Sequence, residues 1–440
     1  MFEKLRNIFQ VPELRRRILF TLGLFVIYRL GEHVPTPGVN AAALTAAFRS
    51  QANTLFGMYD MFVGQAFSKA TIFALGIMPY ISASIIVQLL ATVSPRLEAL
   101  KKEGEAGRKA LNQYTRMGTV ILAAVQAFGI AAGLQNSTGV VTNPGTFFLA
   151  SSVITLTGGT LFLMWLGEQI TARGVGNGIS LIIFSGIVAA YPGAIYNTFE
   201  MGRNGSISIF GILLFFAIIA ATIFFIVYME RAQRRLLVQY PKRQVGANRT
   251  TGGESSHLPL KLNTAGVIPP IFASSLLLLP ITAAQLASSG TSGGPEWLTN
   301  LVAALGRGQP LHLVVYVALI IFFAFFYTAV VFNPKETAEN LRKYGGFIPG
   351  IRPGEKTAEY IDYVLTRITV VGAIYIAIVC VMPELLISYA AVPFYFGGTS
   401  LLIIVVVTMD FMTQVQAYMM SQQYESLLKK ANFKGGVPSR

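Results

Sequence analysis

Ten long apolar segments, separated by polar stretches, dominate the pattern of hydrophobic and polar residues along the chain. Most approach the ~20 residues that an α-helix needs to cross the ~30 Å hydrocarbon core of a bilayer. The first is the weakest, because it is short and ends in charged residues, and the seventh contains three prolines and should be bent. The segments are residues 18–31, 71–93, 117–134, 147–166, 179–195, 207–229, 265–286, 311–332, 368–387 and 399–420.

Residues 57–70, directly before the second segment, do not fit this pattern. They carry Asp60 and Lys69, and these fourteen residues would reach only about 21 Å as a helix. A charge at the centre of a membrane costs about 2.5–3.5 kcal/mol on insertion scales. This stretch therefore lies either outside the membrane or inside a cavity that other helices form.

The composition agrees with a polytopic membrane protein. The chain is 53% hydrophobic and 12% charged, whereas about a quarter of an average soluble protein is charged. A single cysteine, Cys380, excludes an internal disulfide and a site with several cysteine ligands. No cleavable signal peptide is predicted. Apolar residues at helical spacing among basic ones predict an amphipathic surface helix over residues 1–17, with a disordered tail as the alternative.

The basic residues predict the orientation in the membrane. If the N-terminus is cytoplasmic, 29 of the 34 Lys and Arg residues fall on the inner side, as the positive-inside rule requires. Only Arg49, Lys69, Arg203 and Arg307 fall outside, and one arginine lies late in the first segment. This asymmetry predicts cytoplasmic termini, an even number of spans and a cytoplasmic tail over residues 421–440.

Ten spans divide into five and five. Two halves that each have an odd number of spans must have opposite orientations if they share a fold, so an inverted repeat fits the count. We therefore predict an all-α polytopic membrane protein whose two five-helix halves cover residues 18–200 and 201–420.

Two loops on the predicted cytoplasmic side are longer than a connection requires. Residues 230–263 are basic and turn-rich and predict a hairpin. Residues 333–367 begin with Asn333 as the N-cap of a helix that should end at the glycine pair 345–346, before a Gly- and Pro-rich tip around Arg352. We predict two arms that project into the cytoplasm. The alternative is a pair of solvated loops that bind only anionic lipid.

Several kinds of chemistry have no support in the sequence. There is no phosphate-binding Gly-x-x-x-x-Gly-Lys-Ser/Thr motif, the three histidines lack the spacing of metal ligands, and no cofactor is expected. Ionisable residues within the segments are few, and Glu168, Glu384 and Asp410 are expected to be helix-end or packing groups. These observations argue against a secondary transporter with inverted five-helix repeats and against an intramembrane enzyme, which stay as alternatives.

Five stretches carry the signature of a family: GIMPYISASIIVQLL (76–90), GEQITARGVGNGISLIIFSGIV (167–188), AGVIPPIFASS (265–275), NPKETAENLRKYGGFIPGIRPG (333–354) and MDFMTQVQAYMMSQQYESLLKKANFKG (409–435). In content and order they closely resemble the SecY family, which forms the central subunit of the bacterial protein-conducting translocon. The resemblance covers essentially the whole chain, and the outer loop 287–310 is its least matched part.

The resemblance implies an hourglass pore inside the two halves, through which unfolded polypeptide passes, and a lateral gate that opens toward lipid. Residues 57–70 resemble the plug, a short helix that closes the outer funnel, and an apolar ring should form the constriction. By motif position, the ring is Ile77, Ile81, Ile183, Ile187, Ile271 and Ile403; the plug includes Gly57, Met58, Tyr59, Asp60, Met61, Phe62, Val63, Gly64, Gln65 and Phe67; and the gate includes Ser82, Ser84, Gln126 and Asn263.

The resemblance also implies a channel that is not an enzyme and that partners drive from the cytoplasmic side of the bacterial cytoplasmic (inner) membrane. The arms resemble docking sites for the SecA ATPase and for the ribosome, where basic side chains would face ribosomal RNA phosphate. Further implied partners are the SecE and SecG subunits, signal peptides, nascent chains and anionic lipids. Candidate docking residues are Arg243, Arg249, Lys335, Arg342, Lys343 and Arg352.

Overall fold

The structure is a computed structural model, and it consists mainly of long helices. It describes residues 11–49, 60, 63–135, 139–205, 208–240, 243–244, 250–251, 255–277, 297, 300, 304–305, 309–390 and 397–434. The chain forms two compact units. The first is Met1–Tyr196 with Leu278–Arg307 and Ile403–Arg440, and the second is Asn197–Leu277 with Gly308–Leu402. The predicted C-terminal half, residues 201–420, therefore contributes to both units.

The elements follow one another as a run of helices that a short stretch of strands interrupts. In chain order they are α1 (Pro12–Gly31), α2 (Ala41–Arg49), α3 (Met78–Val93), α4 (Pro95–Lys102), α5 (Glu105–Gln135), α6 (Thr146–Arg173), α7 (Gly178–Arg203), α8 (Ile209–Arg231), β1 (Gln233–Gln239), β2 (Arg243–Gln244), β3 (Thr250–Thr251), β4 (Ser255–Lys261), α9 (Ile268–Leu277), α10 (Pro310–Val331), α11 (Pro334–Lys343), α12 (Glu355–Ala390) and α13 (Gly398–Lys434).

The helices account for the ten predicted segments. Among the described residues, seven helices are long and apolar enough to cross a membrane, and α3 with α4 makes an eighth if this pair, bent by 103°, counts as one span. Of the two remaining segments, the first is α1 and the seventh begins with α9, whose continuation lies outside the described residues. The predicted helical membrane fold is confirmed.

The second segment becomes helical later than predicted. Thr71 forms an isolated bridge, residues 72–77 form turns, and helix α3 begins only at Met78. The backbone itself explains the delay, because Ala70 and Gly76 both have positive φ angles, of 47° and 55°, which a right-handed helix cannot include. Pro79 then occupies the first turn of α3, where a proline is well accommodated. The helix has 16 residues and is about 24 Å long at 1.5 Å per residue.

The N-terminal prediction falls partly outside the described residues, which begin at residue 11. Residues 12–17 belong to the same helix as the first apolar segment. Leu14 is buried against Val175 and Val415, and the Arg17 guanidinium donates a hydrogen bond to the Tyr418 hydroxyl at 3.0 Å. The described end of this region therefore packs on protein.

The two predicted arms form one packed body within the second unit. Strands β1 and β4 pair antiparallel over seven residues, which confirms the predicted hairpin. The hairpin is joined to the second arm where Gln239 and Phe347 exchange two backbone hydrogen bonds of 2.9 and 3.0 Å. Beneath this junction lies an apolar core of Leu236, Leu260, Ile348, Ile361 and Ile368.

The predicted start of the second arm is also confirmed. The Asn333 side chain accepts hydrogen bonds from the backbone N–H groups of Lys335 and Glu336, and Pro334 is the first helical residue. Helix α11 ends before Gly345, whose φ of 75° suits a glycine after a helix.

We expect Asn333→Ala to destabilise α11 locally. Loss of an N-cap side chain costs about 0.5–2 kcal/mol, so hydrogen exchange over residues 334–343 should become roughly two- to thirtyfold faster. Asn340→Ala is the matched control, because Asn340 is an exposed asparagine inside the same helix. Equal exchange rates in the two variants would contradict the capping role.

Candidate functional site

The plug segment, residues 63–77, comprises the second part of the predicted plug and the non-helical stretch that leads from it to helix α3. Of the plug residues, Asp60, Val63, Gly64, Gln65 and Phe67 are described, whereas Gly57, Met58, Tyr59, Met61 and Phe62 lie outside the described residues. Residues 63–70 are successive turns, where the sequence predicted a short helix. Positive φ angles at Gly64 and Gln65, of 72° and 67°, explain why this part of the plug cannot be helical.

Hydrogen bonds among residues 60–71 hold the turns of the segment in place. The backbone N–H groups of Gln65 and Ser68 donate to the Asp60 carbonyl and to the Asp60 carboxylate, at 2.7 and 2.8 Å. The Thr71 N–H donates to the Ala66 carbonyl at 2.9 Å. These bonds satisfy backbone groups that would otherwise be costly to bury.

The end of the segment is tied to the chain that leaves α1. The Thr36 N–H donates to the Ala70 carbonyl at 2.7 Å, and the Ile72 N–H donates to the Val34 carbonyl at 3.0 Å. Pro35 and Thr71 form an antiparallel bridge between these two bonds. The chain after the C-terminal end of α1 therefore holds the segment at residues 70–72, ahead of α3.

Two glycines of the segment, Gly64 and Gly76, allow close packing within the first unit, next to residues of the predicted ring. A Cβ atom on Gly76 would lie 3.0 Å from the Val63 side chain, so Val63 packs directly onto this backbone, next to Ile77. A Cβ atom on Gly64 would lie 3.0 Å from the Cα of Gly186, which precedes Ile187. The plug segment thus touches the chain immediately before two ring positions.

All six predicted ring isoleucines are buried. Five of them belong to the first unit, and the sixth, Ile271, belongs to α9 of the second unit. Ile77 caps the start of α3, and its carbonyl accepts the N–H of Ile81 at 3.1 Å, so the predicted one-turn spacing of this pair is present.

The predicted gate residues fall on both units. Ser82 is buried on α3, and the Ser84 hydroxyl on the same helix accepts a hydrogen bond from the Gln88 amide at 3.2 Å. Gln126 is half-buried on α5, which packs against α3. Asn263 is buried in the second unit, where both of its amide N–H groups are already used within that unit.

Glu32, which sequence reasoning did not single out, is a buried carboxylate at the end of α1. It is 2% exposed and is paired with Arg29. The Gly64 backbone lies so close that a Cβ atom there would overlap Glu32 Oε1. Burial raises the pKa of Glu32, and the nearby Arg29 and Lys69 charges only partly oppose this shift. The only signal in the sequence was an acidic residue directly after an apolar segment.

Asp60 is the second acidic group of the segment. Burial also raises the pKa of Asp60, while its hydrogen bonds from Ser68 and the charge of Lys69 act in the opposite direction. The Lys69 charge therefore lowers the pKa of both carboxylates. Lys69 links Asp60 electrostatically to the pair of Glu32 and Arg29.

The docking candidates lie on the arms. Lys335, Arg342, Lys343 and Arg352 are exposed, the backbone of Arg243 lies in β2, and Arg249 lies outside the described residues. The Arg352 carbonyl accepts a hydrogen bond from the buried Thr357 hydroxyl at 2.9 Å. Positive φ angles at Gly350 and Gly354 shape the turn on either side. The tip therefore presents Arg352 from an ordered turn.

Charged residues within the spans have structural partners where the side chains are described. Glu168 accepts two hydrogen bonds from the Arg116 guanidinium, at 2.9 and 2.7 Å, which agrees with a packing role. Asp410 lies on α13, and the side chain of Glu384 lies outside the described ones. Over the described part of the chain, no cluster of His, Cys, Asp and Glu suits a metal ion.

The packing of the segment against the end of α1, here called docking, should depend on pH. Since the raised pKa of Glu32 means that the docked state binds its proton more tightly than an exposed carboxyl would, docking should strengthen as pH falls through that pKa and weaken as pH rises. Hydrogen-exchange protection of residues 63–72, corrected for the intrinsic rate, should therefore increase from about pH 7.5 to about pH 5. Glu32→Gln should reduce this change and leave the part that Asp60 contributes, whereas Glu13→Gln at the other end of α1 should leave the whole change in place. An unchanged pH dependence in Glu32→Gln would refute the role of this carboxyl.

Comparison with known proteins agrees with this geometry. The SecY family model matches residues 71–412. The protein translocase subunit SecY of Escherichia coli K12 is 56% identical over 426 residues, which cover 96% of each chain.

Solved channel structures have the same fold at low sequence identity. One is a SecY protein whose plug domain is described as stabilising the closed state of the translocation channel and maintaining a membrane seal (TM-score 0.65, 17% identity, 92% of this chain and 93% of that one). Another is Sec61 in the canine ribosome–channel complex from the endoplasmic reticulum (TM-score 0.62, 17% identity, with the same coverage). With a family model over more than half of its length and a relative of this identity, the chain belongs to the SecY family.

Proposed function

We propose that this chain is the channel-forming subunit of a protein translocase. It conducts unfolded secretory polypeptides across the bacterial cytoplasmic membrane and releases membrane helices sideways into lipid. The observation that carries the proposal is the packing of the predicted plug residues: Val63 packs onto the Gly76 backbone next to Ile77, and Gly64 lies against Gly186, next to Ile187. A folded segment that is covalently joined to a spanning helix and packs beside apolar side chains can close a pore at that point.

The ring of isoleucines explains how such a channel passes many sequences. Apolar side chains offer no fixed hydrogen-bond partner, so they neither select nor trap a passing chain. A narrow apolar constriction also resists wetting, which limits the leak of ions. The plug segment adds to this seal, and its mixture of polar and apolar residues suits a piece that meets protein in one state and water in another.

The lateral gate requires contacts that are strong enough to close and weak enough to open. Ser82, Ser84 and Gln126 are polar residues on two helices that pack together, and Asn263 lies near the start of α9. A hydrogen bond between membrane helices is worth only about 0.6–2 kcal/mol. A few such bonds would keep a gate shut and still yield to an inserting apolar signal peptide.

The arms are the docking sites for the partners that drive transport, and their charges suit different surfaces. Residues 230–263 hold seven basic and two acidic residues, which favours RNA phosphate on the ribosome. Residues 333–367 hold six basic and five acidic residues, which favours a protein surface of mixed charge such as the SecA motor. The channel itself is not an enzyme in this proposal.

The proposed orientation of the chain in the membrane follows from the uneven distribution of basic residues. Both termini lie in the cytoplasm, where the basic loops also meet anionic lipids. The small subunits SecE and SecG complete the complex, and nascent chains enter from the arm side.

A point variant of the plug segment tests the proposal. Gly64→Val should raise the ion conductance of the resting channel in planar bilayers, because its Cβ would overlap Glu32 and press on Gly186. Deletion of residues 60–69 should have the same effect and still allow transport. Gly104→Val is the matched control: Gly104 has a similar φ of 76° and no neighbouring atom within 4 Å. No added leak in Gly64→Val or in the deletion variant would refute the plug.

A charge reversal tests the docking assignment. Arg352→Glu should abolish motor-driven export from vesicles, with a loss of at least about tenfold, because it reverses the charge at the ordered tip. Lys356→Glu, at an exposed position that is the second residue of α12, should keep most of the activity. Normal export by Arg352→Glu would rule out this contact.

A further inference from the structure

The root of the first arm is closed by hydrogen bonds around one buried amide. Asn263 follows the last strand of the arm and precedes α9 by five residues. Its Nδ2 group donates to Glu230 Oε1 at 2.6 Å and to the Gly266 carbonyl at 3.1 Å, and its Oδ1 atom accepts the Gly266 N–H at 3.0 Å. Both N–H donors of this amide are therefore used.

Glu230 stands at the opposite end of the arm. It is the penultimate residue of α8, so its bond to Asn263 joins the points where the chain leaves the helix bundle and returns to it. The Tyr375 hydroxyl, on α12, donates to the same carboxylate oxygen at 3.4 Å. At 2.6 Å, the bond from Asn263 is the shorter of these two bonds to Glu230.

The backbone around this bond is closely packed. The Leu262 N–H donates to the Ala232 carbonyl at 3.0 Å, which closes the arm directly above Glu230 and Asn263. On α12, a Cβ atom at Gly372 would lie only 2.6 Å from the Leu262 carbonyl oxygen, so a glycine is required there. The Tyr375 ring, one turn further along, packs edge-on against Phe225 of α8 at 5.7 Å.

The same amide sets the start of α9. Residues 264–267 form a tight connection in which Gly266 has a φ of 63°, and the Asn263 side chain bonds both backbone groups of that glycine. The direction in which α9 leaves the arm therefore depends on the orientation of the Asn263 amide. Glu230 fixes that orientation from α8.

We propose that Glu230 is a positioning residue that clamps Asn263, so that force on the docked first arm is transmitted to the start of α9. Without the clamp, residues 262–267 form a joint about which the arm moves independently of α9. This inference rests on the proposed function, in which the arm binds the driving partner and Asn263, near the start of α9, is a gate residue. In this inference Asn263 has two roles: it contacts Glu230 within the second unit, and it is a proposed gate residue.

Four variants of the complete complex in vesicles test the clamp. Glu230→Leu removes the acceptor, whereas Glu230→Gln keeps an acceptor oxygen at the same reach. Asn263→Asp places two carboxylates against each other, and the double variant Glu230→Gln with Asn263→Asp restores a donor and an acceptor with exchanged roles. Three quantities are measured for each variant: binding of non-translating ribosomes, export of a secretory reporter, and hydrogen exchange over residues 264–277.

The clamp predicts a pattern that general unfolding would not produce. Glu230→Leu and Asn263→Asp should bind ribosomes within about twofold of the parent chain, lose about tenfold in export, and exchange about tenfold faster over residues 264–277, as expected when a buried polar group loses its hydrogen-bond partner. Glu230→Gln should stay near the parent, and the double variant should recover part of the loss in both measurements, because the bond to the Gly266 carbonyl stays missing.

Two results would overturn the clamp: equal behaviour of Glu230→Leu and Glu230→Gln, or no recovery in the double variant. The exchange measurement needs no transport, so it decides the clamp even if the parent chain exports nothing. A parent chain that exports nothing would instead refute the proposed function.

Discussion

Backbone that is not helical needs protein partners when it lies near a membrane interior, because lipid offers no hydrogen bonds. The segment of residues 63–77 meets this requirement through Asp60, through the Ala70 and Ile72 bonds to the chain after α1, and through close contact with Gly186. Its attachment is therefore strong locally and depends on few side chains. In the proposed function, breaking these few contacts would be enough to release the segment as a unit.

The two arms, in the second unit, also hold non-helical backbone in place through contacts with protein. Their strands and turns are held by the Gln239–Phe347 pair and by an apolar core, so the two arms are one body within the second unit. A rigid body of this kind can receive force from a large partner and pass it on at its root. The bond between Glu230 and Asn263 is the point at which that root meets the start of α9.

Local patterns predicted much of this organisation. Hydropathy predicts most of the spans, and the Asn333 cap and the hairpin follow from capping and turn chemistry. The delayed start of α3 was not predictable from hydropathy, because residues 71–77 are as apolar as a helix and differ only in backbone angles. The roles of Glu32, Glu230 and the Gln239–Phe347 pair depend on contacts between residues far apart in sequence, which no local pattern contains. The ring and gate residues came from family resemblance, since isoleucine at helical spacing is equally typical of core packing.

The central claim is that a polypeptide crosses the membrane past the isoleucine ring, and photo-crosslinking to a stalled secretory chain tests it most directly. A photoreactive amino acid at Ile187 should crosslink to the stalled chain. The same group at Ile154, which is 73% exposed on α6, should not. Crosslinks from position 154 with none from position 187 would contradict the account.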